Sequence, residues 1–260
     1  MSVTEANSAT APVLQTRDIV RDFGGVIAVG GATLQVPKGI TGLIGPNGAG
    51  KSTMVGIIAG SIKPRSGSIF FDGHDITGSS PYQVARRGLI RTFQLSSEFA
   101  KLTVIENLVV AAPNQRGESV MGALIGSRSW GRQERQLARE ARALLRRFGL
   151  ADKEDEYAGT LSGGQKRLVE IMRGLMAKPK LLILDEPLAG VNPSLANRIL
   201  GHLESLRDEG LTMLMVEHDL AAVGRVCDPV IVMAQGKVVA QGPLSELRTR
   251  REVLDAYFIG

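Results

Sequence analysis

The spacing of apolar residues along the chain predicts short strands in its N-terminal part. Apolar runs rich in β-branched residues, separated by glycines, are typical of strands. They cover residues 13–36, with an interruption at Phe23-Gly24-Gly25, and residues 40–44, 68–72 and 89–93. The run at 40–44 leads into a glycine-rich loop, and the residues after that loop, 51–59, are predicted to be a helix.

The middle of the chain is predicted to be helical and rich in charge over residues 95–160, apart from a Gly/Ser/Arg-rich loop at 113–131. Within this part, apolar residues at helical spacing predict a helix with one buried stripe, formed by Leu137, Ala141, Leu144, Leu145 and Phe148. The same spacing predicts another helix between Leu168 and Met176.

Strand-like and helix-like segments alternate in the C-terminal part of the chain. The predicted order is a strand at 181–184, a helix at 194–206, a strand at 211–216, a helix at 220–226 and a strand at 230–233. Such alternation predicts βαβ units and a mostly parallel sheet. The fold class expected from the pattern is therefore α/β.

Composition agrees with a folded α/β protein, because 43% of the residues are apolar and 22% are charged. The longest apolar runs have the length of strands, well below the roughly 18 residues that a membrane-spanning helix needs. Residues 1–11 are polar and lack the features of a secretory signal, so we expect a flexible tail. Cys227 is the only cysteine, which excludes an intrachain disulfide and favours a small buried side chain.

A net charge of +5 raises the possibility of nucleic-acid binding. The basic residues, however, concentrate on the helix that carries the apolar stripe, at Arg132, Arg135, Arg139, Arg142, Arg146 and Arg147. A solvated basic face explains this pattern, and the aromatic content of 4% gives little support to a base-stacking surface. We therefore predict no nucleic-acid partner.

The glycine-rich loop after residues 40–44 fits the phosphate-binding pattern G-x-x-x-x-G-K-[ST]. Its glycines allow the backbone to approach phosphate oxygens, and the following helix directs its positive end towards them. Lys51 adds a positive charge and the Ser52 hydroxyl can bind Mg²⁺. The predicted cofactors are ATP and Mg²⁺, held by Gly45, Pro46, Asn47, Gly48, Ala49, Gly50, Lys51, Ser52 and the adjacent Thr53.

Asp185 and Glu186 end the apolar run at 181–184, and Pro187 follows them. Taken alone, such a pair is typical of a strand end or a helix cap. Together with the phosphate loop it predicts a hydrolytic site, in which Asp185 binds Mg²⁺ through water and Glu186 is the general base for the attacking water.

The stretch Leu161-Ser162-Gly163-Gly164-Gln165 predicts a second glycine-rich helix N-terminus, and hence a second anion site. The alternative is an ordinary helix capped by Ser162. Two anion sites beside one acidic pair are difficult to explain in a self-contained enzyme.

The phosphate loop, this five-residue signature and the acidic strand, in that order, resemble the nucleotide-binding subunit of ATP-binding-cassette (ABC) transporters from about Val13 to the C-terminus. The resemblance implies an ABC-type P-loop ATPase domain over residues 12–260, with a RecA-like core, an antiparallel β-subdomain and a helical subdomain at about 95–165. It also implies that Ser162, Gly163, Gly164 and Gln165 act on nucleotide held by a second cassette.

Further roles follow from the resemblance alone. Gln94 matches the glutamine that contacts Mg²⁺ and relays to the membrane partner, and His218 matches the switch histidine that senses the γ-phosphate. Phe23 matches the aromatic residue that stacks on adenine. The alternatives are a solvated Gln, a helix-cap His and a core Phe. Asn192 stands where the family commonly has Asp, and Asn cannot act as a charged partner across a dimer.

Several segments are similar to the ATPase of branched-chain amino-acid importers, namely Phe23-Gly24-Gly25, Arg91-Thr92-Phe93-Gln94, residues 102–107, residues 189–193 and Asp255-Ala256-Tyr257. The implied partners are a second cassette, identical or paralogous, two transmembrane permeases and, indirectly, a periplasmic or extracellular solute-binding protein. The implied location is peripheral, on the cytoplasmic face of the inner membrane. Alternatives are a urea or amide importer, a lipopolysaccharide exporter, a soluble ABC ATPase, or a P-loop kinase or GTPase.

Overall fold

The computed structural model describes residues 11–92, 99–113 and 127–258 of the chain. Residues 1–10 of the predicted tail, Gln94 and most of the predicted loop at 113–131 lie outside the described residues.

A four-stranded antiparallel sheet contains most of the N-terminal strands. Its order is β2-β1-β4-β5, with β1 at Leu14–Phe23, β2 at Val26–Val36, β4 at Ser66–Phe71 and β5 at His74–Asp75. The predicted break at Phe23-Gly24-Gly25 is the turn between β1 and β2, because Phe23 pairs with Val26 across it.

A six-stranded sheet forms the centre of the protein, in the order β10-β9-β3-β8-β7-β6. Its strands are β3 at Ile40–Ile44, β6 at Leu89–Arg91, β7 at Leu181–Asp185, β8 at Thr212–Val216, β9 at Val230–Ala234 and β10 at Lys237–Gly242. All neighbours are parallel except β9 and β10. The parallel strands are nearly continuous apolar runs because both faces of the sheet are covered.

Helices cover both faces of this sheet, and on one face the four-stranded sheet packs with them. Two apolar cores result, one on each side. The helices are α1 at Lys51–Ile58, α2 at Pro81–Arg86, α3 at Val104–Val110, α4 at Ser127–Phe148, α5 at Gly163–Met176, α6 at Pro193–Asp208, α7 at Leu220–Val226, α8 at Leu244–Leu247 and α9 at Arg251–Phe258. Within the described ranges, no helix is both long and apolar enough to cross a membrane.

The predicted α/β class and mostly parallel sheet are confirmed, with corrections at some boundaries. The strand predicted at 68–72 ends at Phe71, because Asp72 has a positive φ of 49° and begins a turn. The strand predicted at 89–93 ends at Arg91, and Phe93 lies outside the described residues. The sequence pattern did not predict β10 or the helices α2, α8 and α9.

The basic helix α4 carries the predicted apolar stripe, because Leu137, Ala141, Leu145 and Phe148 are buried. Its arginines face solvent or surface carboxylates. Arg142 pairs with Glu154 and Arg147 pairs with Glu209. The concentration of arginines is thus a charged face of a packed helix.

Candidate active site

The phosphate loop connects β3 to α1 at the edge of the central sheet where the parallel strands end. Gly45 has φ of 151° and Gly50 has φ of 96°. A Cβ at position 45 would collide with the carbonyl oxygen of Met233, and one at position 50 with that of Ala28. Glycine is therefore required at both positions by backbone conformation and by close approach.

Neighbouring strands hold the loop in place through backbone hydrogen bonds. The N–H of Gly236, in the turn between β9 and β10, donates to the Ala49 carbonyl at 3.0 Å. The N–H of Gly30 on β2 donates in turn to the Gly236 carbonyl at 2.8 Å. Both sheets thus contact the loop, which fixes its shape.

Lys51 opens α1 and bends back towards the loop, where its Nζ donates to the carbonyls of Gly45 at 2.7 Å and Pro46 at 2.9 Å. Burial lowers the pKa of the Lys51 ammonium, and the nearby carboxylates of Glu186 and Asp185 oppose that shift. Ser52 is exposed beside it. An ammonium at this position can meet phosphate oxygens directly.

Asp185 ends β7 and forms an ion pair with a residue that the sequence had not suggested for the site. The Nη2 of Arg91 lies 2.6 Å from Oδ2 of Asp185, and both side chains are largely buried. Arg91 ends the neighbouring strand β6, which brings the two residues together. The residues Ser52, Arg91, Thr92, Arg167, Asp185, Glu186 and Ala189 line one cleft of about 490 Å³.

Glu186 follows β7 with a φ of 48°, a conformation that costs energy in a non-glycine residue. Its N–H donates to the Val216 carbonyl at 3.0 Å, and its own carbonyl accepts from the Ala189 N–H at 3.1 Å. These bonds hold the turn while its exposed carboxylate lines the cleft beside Asp185. An exposed carboxylate with a fixed backbone is suited to orienting a water molecule.

His218 follows the end of β8, and its side chain is 71% exposed. The preceding Glu217 has a side chain that is 0% exposed. The Nδ1 of His218 lies 3.6 Å from Oε2 of Glu217. Glu217 was not among the predicted site residues, although it directly follows a buried strand, the pattern that had pointed to Asp185.

Ser162 is the N-cap of α5, since its hydroxyl accepts from the Gln165 N–H at 3.3 Å. The Gln165 side chain accepts from the Ser162 N–H at 2.9 Å, which completes a capping box. The capped helix is therefore present, and a cap is equally compatible with an anion site. Gly163 has open space around it, whereas a side chain at Gly164 would collide with Leu195.

The signature lines a second cleft, of about 330 Å³, together with the loop that follows Glu186. Ser162, Gln165 and Asn192 lie there. Asn192 caps α6 by accepting from the Leu195 N–H at 2.9 Å. Among the described residues, the two clefts share no lining residue.

Phe23 lies at the turn between β1 and β2 and is 46% exposed. The Arg21 guanidinium lies over its ring at 4.6 Å from the centroid. Ala28, close by on β2, is the residue whose carbonyl adjoins Gly50 of the phosphate loop. Phe23 is not a core residue, and an exposed aromatic ring can stack on a base.

The donors at the first cleft suit Mg²⁺ bound together with a nucleotide. The Ser52 hydroxyl and the Asp185 carboxylate are hard oxygen ligands, and Mg²⁺ commonly takes one or two protein ligands plus substrate phosphates. In the parts of the chain that the structure describes, no group of three or more His, Cys, Asp or Glu residues could hold a metal by itself.

A parallel sheet with a glycine loop between strand and helix, a lysine at the loop and an acidic pair at the end of another strand of the same sheet defines a P-loop nucleoside triphosphatase. Comparison with known proteins specifies which class. The model of the ABC transporter family matches residues 30–189. The chain belongs to this family, so it is a nucleotide-binding ATPase of the ABC type.

Similar curated proteins cover nearly the whole chain. One is the probable branched-chain amino acid transport ATP-binding protein LivG of Methanocaldococcus jannaschii, 40% identical over 90% of both chains. Another is the high-affinity branched-chain amino acid transport ATP-binding protein BraF of Pseudomonas aeruginosa, 36% identical over 95% of this chain and 97% of the relative.

Solved structures share the fold. A nucleotide-free ATP-binding cassette from an ABC transporter superimposes with a TM-score of 0.83 and 36% identity, covering 95% of this chain and 99% of the other. The ADP conformation of an ABC transporter cassette gives 0.82 and 36% identity, covering 96% of this chain and 100% of the other. The resemblance seen in the sequence, and its implied fold, are confirmed.

Proposed function

We propose that this chain is the ATP-hydrolysing subunit of an importer for branched-chain or similar small amino acids. The substrate class is supported by relatives that are named for branched-chain amino acid transport. They are 35–40% identical over 90% or more of this chain. Because a cassette binds ATP and not the transported molecule, the substrate is argued from these relatives and not from the cleft.

The site residues predicted from the sequence divide the work of hydrolysis. The phosphate loop, residues 45–53, surrounds the phosphates with backbone N–H groups, and Lys51 neutralises their charge. Glu186 accepts a proton from the attacking water as general base. Ser52, Gln94 and, through water, Asp185 would hold Mg²⁺, which would supply positive charge to the phosphate oxygens. Phe23 stacks on adenine, and His218 senses the γ-phosphate.

The complete site is shared between two cassettes. Ser162, Gly163, Gly164 and Gln165 of one chain act on the nucleotide bound by the other. This arrangement is supported by the separation of the two clefts within one chain and by the exposure of Ser162 and Gly163. A helix N-terminus with free N–H groups is suited to a γ-phosphate.

The working assembly contains two cassettes, identical or paralogous, two transmembrane permeases and, indirectly, a periplasmic or extracellular solute-binding protein. It lies on the cytoplasmic face of the inner membrane, with this chain as a peripheral subunit. The cassette domain covers residues 12–260 and includes a helical subdomain at about residues 95–165. Within it, the segment at about 95–108 contacts the permease. Closure of the cassettes around ATP switches the permease between outward and inward states.

Uptake measurements test this proposal. Cells from which the gene for this chain is deleted should lose uptake of radiolabelled leucine. The intact gene should restore it, and a Lys51→Ala gene should not. Uptake of urea and glutamate is measured in parallel. Unchanged leucine uptake with lost urea uptake would rule out the amino-acid assignment and favour a urea importer with the same ATPase mechanism.

A further inference from the structure

Glu217 is an acidic side chain buried next to the site, and the roles assigned above do not use it. The residue is 1% exposed. Burying a carboxylate is costly unless hydrogen bonds replace its water. Two backbone amides do so, since the N–H of Leu188 donates to Oε1 at 2.9 Å and the N–H of His218 donates to Oε2 at 3.1 Å.

These two amides belong to the two loops that carry the proposed reacting groups. Leu188 lies two residues after Glu186, and His218 is the proposed γ-phosphate sensor. The loops leave adjacent parallel strands, because Asp185 on β7 pairs with Val216 on β8. A third bond joins them, from the Glu186 N–H to the Val216 carbonyl at 3.0 Å. One carboxylate therefore links both loops, with a separate oxygen for each.

The hydrogen bonds continue from Glu217 towards the second cleft. The Leu188 carbonyl accepts from the Val191 N–H at 3.2 Å. The next residue, Asn192, caps α6 and lines the cleft that contains Ser162. The loop that Glu217 holds thus runs from Glu186, the proposed general base in the first cleft, to Asn192 in the second cleft.

We propose that Glu217 is a positioning residue, which holds Glu186 and His218 in one fixed relation and transmits movement of His218 to the loop at 188–192. The inference rests on the proposed roles of Glu186 and His218. A carboxylate is suited to this position because both oxygens accept hydrogen bonds, whereas an amide offers one accepting oxygen and one donating nitrogen. A hydrogen-bond network can carry coupling between two sites, and the bonds from His218 through Glu217 to Leu188 are contiguous.

The variant Glu217→Gln tests the proposal because it preserves side-chain volume. In the assembled transporter we expect kcat for ATP hydrolysis to fall by about 10- to 100-fold, the scale of a small misplacement of reacting groups. The KM for ATP should stay within about threefold, since the phosphate loop is untouched. Glu204→Gln is the matched control, because it makes the same chemical change in a surface ion pair with Arg225.

Hydrogen exchange gives a readout that does not depend on hydrolysis or transport. In the full chain, the amide of Leu188 or of His218, whichever loses its accepting oxygen, should exchange about tenfold faster in Glu217→Gln, as expected for losing one hydrogen bond to a charged group. The Met213 amide, which donates to the Gly39 carbonyl in the same sheet, should keep its rate. An unchanged kcat, unchanged exchange rates at both the Leu188 and the His218 amides, or an equal loss of kcat and ATP affinity would each overturn the proposal.

If Glu217→Gln does not fold, the proposed coupling of the two loops is tested on the unmodified chain. On addition of a non-hydrolysable ATP analogue with Mg²⁺, the exchange rates of the Leu188 and His218 amides should change together, with the same dependence on analogue concentration. A change at one amide with none at the other would show that Glu217 does not couple the loops. Analogue binding measured in the same samples shows whether the ATP site itself is formed, so that failure of the site is distinguished from failure of the coupling.

Discussion

Arg91 and Asp185 form an ion pair at the centre of the first cleft, with 2.6 Å between Nη2 and Oδ2. Their side chains are 17% and 25% exposed, so water screens the pair only in part. Asp185 is also the proposed Mg²⁺ ligand. A guanidinium bound to that carboxylate lowers its attraction for a divalent cation, because the two positive charges compete for the same oxygens.

Removing this competition should strengthen Mg²⁺ binding. For Arg91→Gln we expect the Mg²⁺ concentration that gives half-maximal ATPase activity to fall by about fivefold or more. This ratio corresponds to roughly 1 kcal/mol, the Coulomb repulsion expected between nearby charges even with the dielectric constant of water. The measurement is ATP hydrolysis at fixed ATP and varied Mg²⁺. Arg87→Gln, at an exposed position just before β6, is the control. An unchanged Mg²⁺ dependence would mean that the ion pair does not limit access to Asp185.

Replacing the proposed general base should separate binding from hydrolysis. Glu186→Gln should bind ATP normally and hydrolyse it about 10²–10⁴-fold more slowly, the usual scale for a general base. Because ATP then persists, the variant should elute as an ATP-bound dimer in size-exclusion chromatography. Glu209→Gln, at an exposed position after α6, should behave as the unmodified chain does. Normal hydrolysis by Glu186→Gln would move the base elsewhere, with His218 the next candidate.

Shared sites predict that two inactive chains can complement each other. Ser162→Arg should abolish hydrolysis in trans by blocking the signature, while its own phosphate loop stays open. Mixed with a Lys51→Ala chain, it should restore about one working site of the two in a dimer.

Ser162→Ala distinguishes two effects of Ser162→Arg, which are blockage of the second cleft and loss of the helix cap. That variant loses the cap, at a cost of about 1 kcal/mol in stability, without adding bulk. It should therefore melt at a lower temperature than the unmodified chain, and it should lose less activity than Ser162→Arg because the second cleft stays open. If the mixture shows no rescue although both chains fold and dimerise, the sites are not shared.

His202 should make the fold more stable at neutral than at mildly acidic pH. Its ring stacks on Phe148 at 4.3 Å between centroids. Burial lowers the pKa of this imidazole from 6.5, and Arg147 and Arg198 lower it further. Between the folded pKa and 6.5 the unfolded chain binds more protons, so the free energy of unfolding rises with pH. This stabilisation is complete above about pH 6.5 and is lost as the pH falls towards the folded pKa.

Urea unfolding at about pH 5.5 and pH 7.5 measures the effect, in the range where histidines titrate. The gain in stability between these pH values should be smaller in His202→Gln than in the unmodified chain. His74→Gln is the control, since His74 is exposed and lies on the edge strand β5. Carboxylates titrate mainly below this window, so they affect all three proteins alike. An equal gain in all three would assign the pH dependence to other groups.

Local pattern was enough to predict the elements that build the site. Each of these elements is a continuous segment whose own residues determine its backbone conformation. They are the apolar run at 40–44, the glycine loop and the acidic pair at 185–186. The stripe on α4 is similarly local, because helical periodicity brings residues three and four apart to one face. The functional role of each of these residues is still a prediction, and Gln94 lies outside the described residues.

The sequence by itself determined which groups are available, namely the phosphate loop, two carboxylates at the end of the apolar run 181–184 and a capped signature helix. Only the tertiary structure decided which groups face each other. Arg91 meets Asp185 because β6 and β7 are paired, although 94 residues separate them in the chain. Glu217 links Leu188 to His218 because β7 and β8 end side by side. The strand β10 escaped prediction because its mixed pattern becomes a strand only by pairing with β9. Periodicity reports the local conformation of a segment, whereas ion pairs and buried hydrogen bonds depend on strand order, which is a property of the whole sheet.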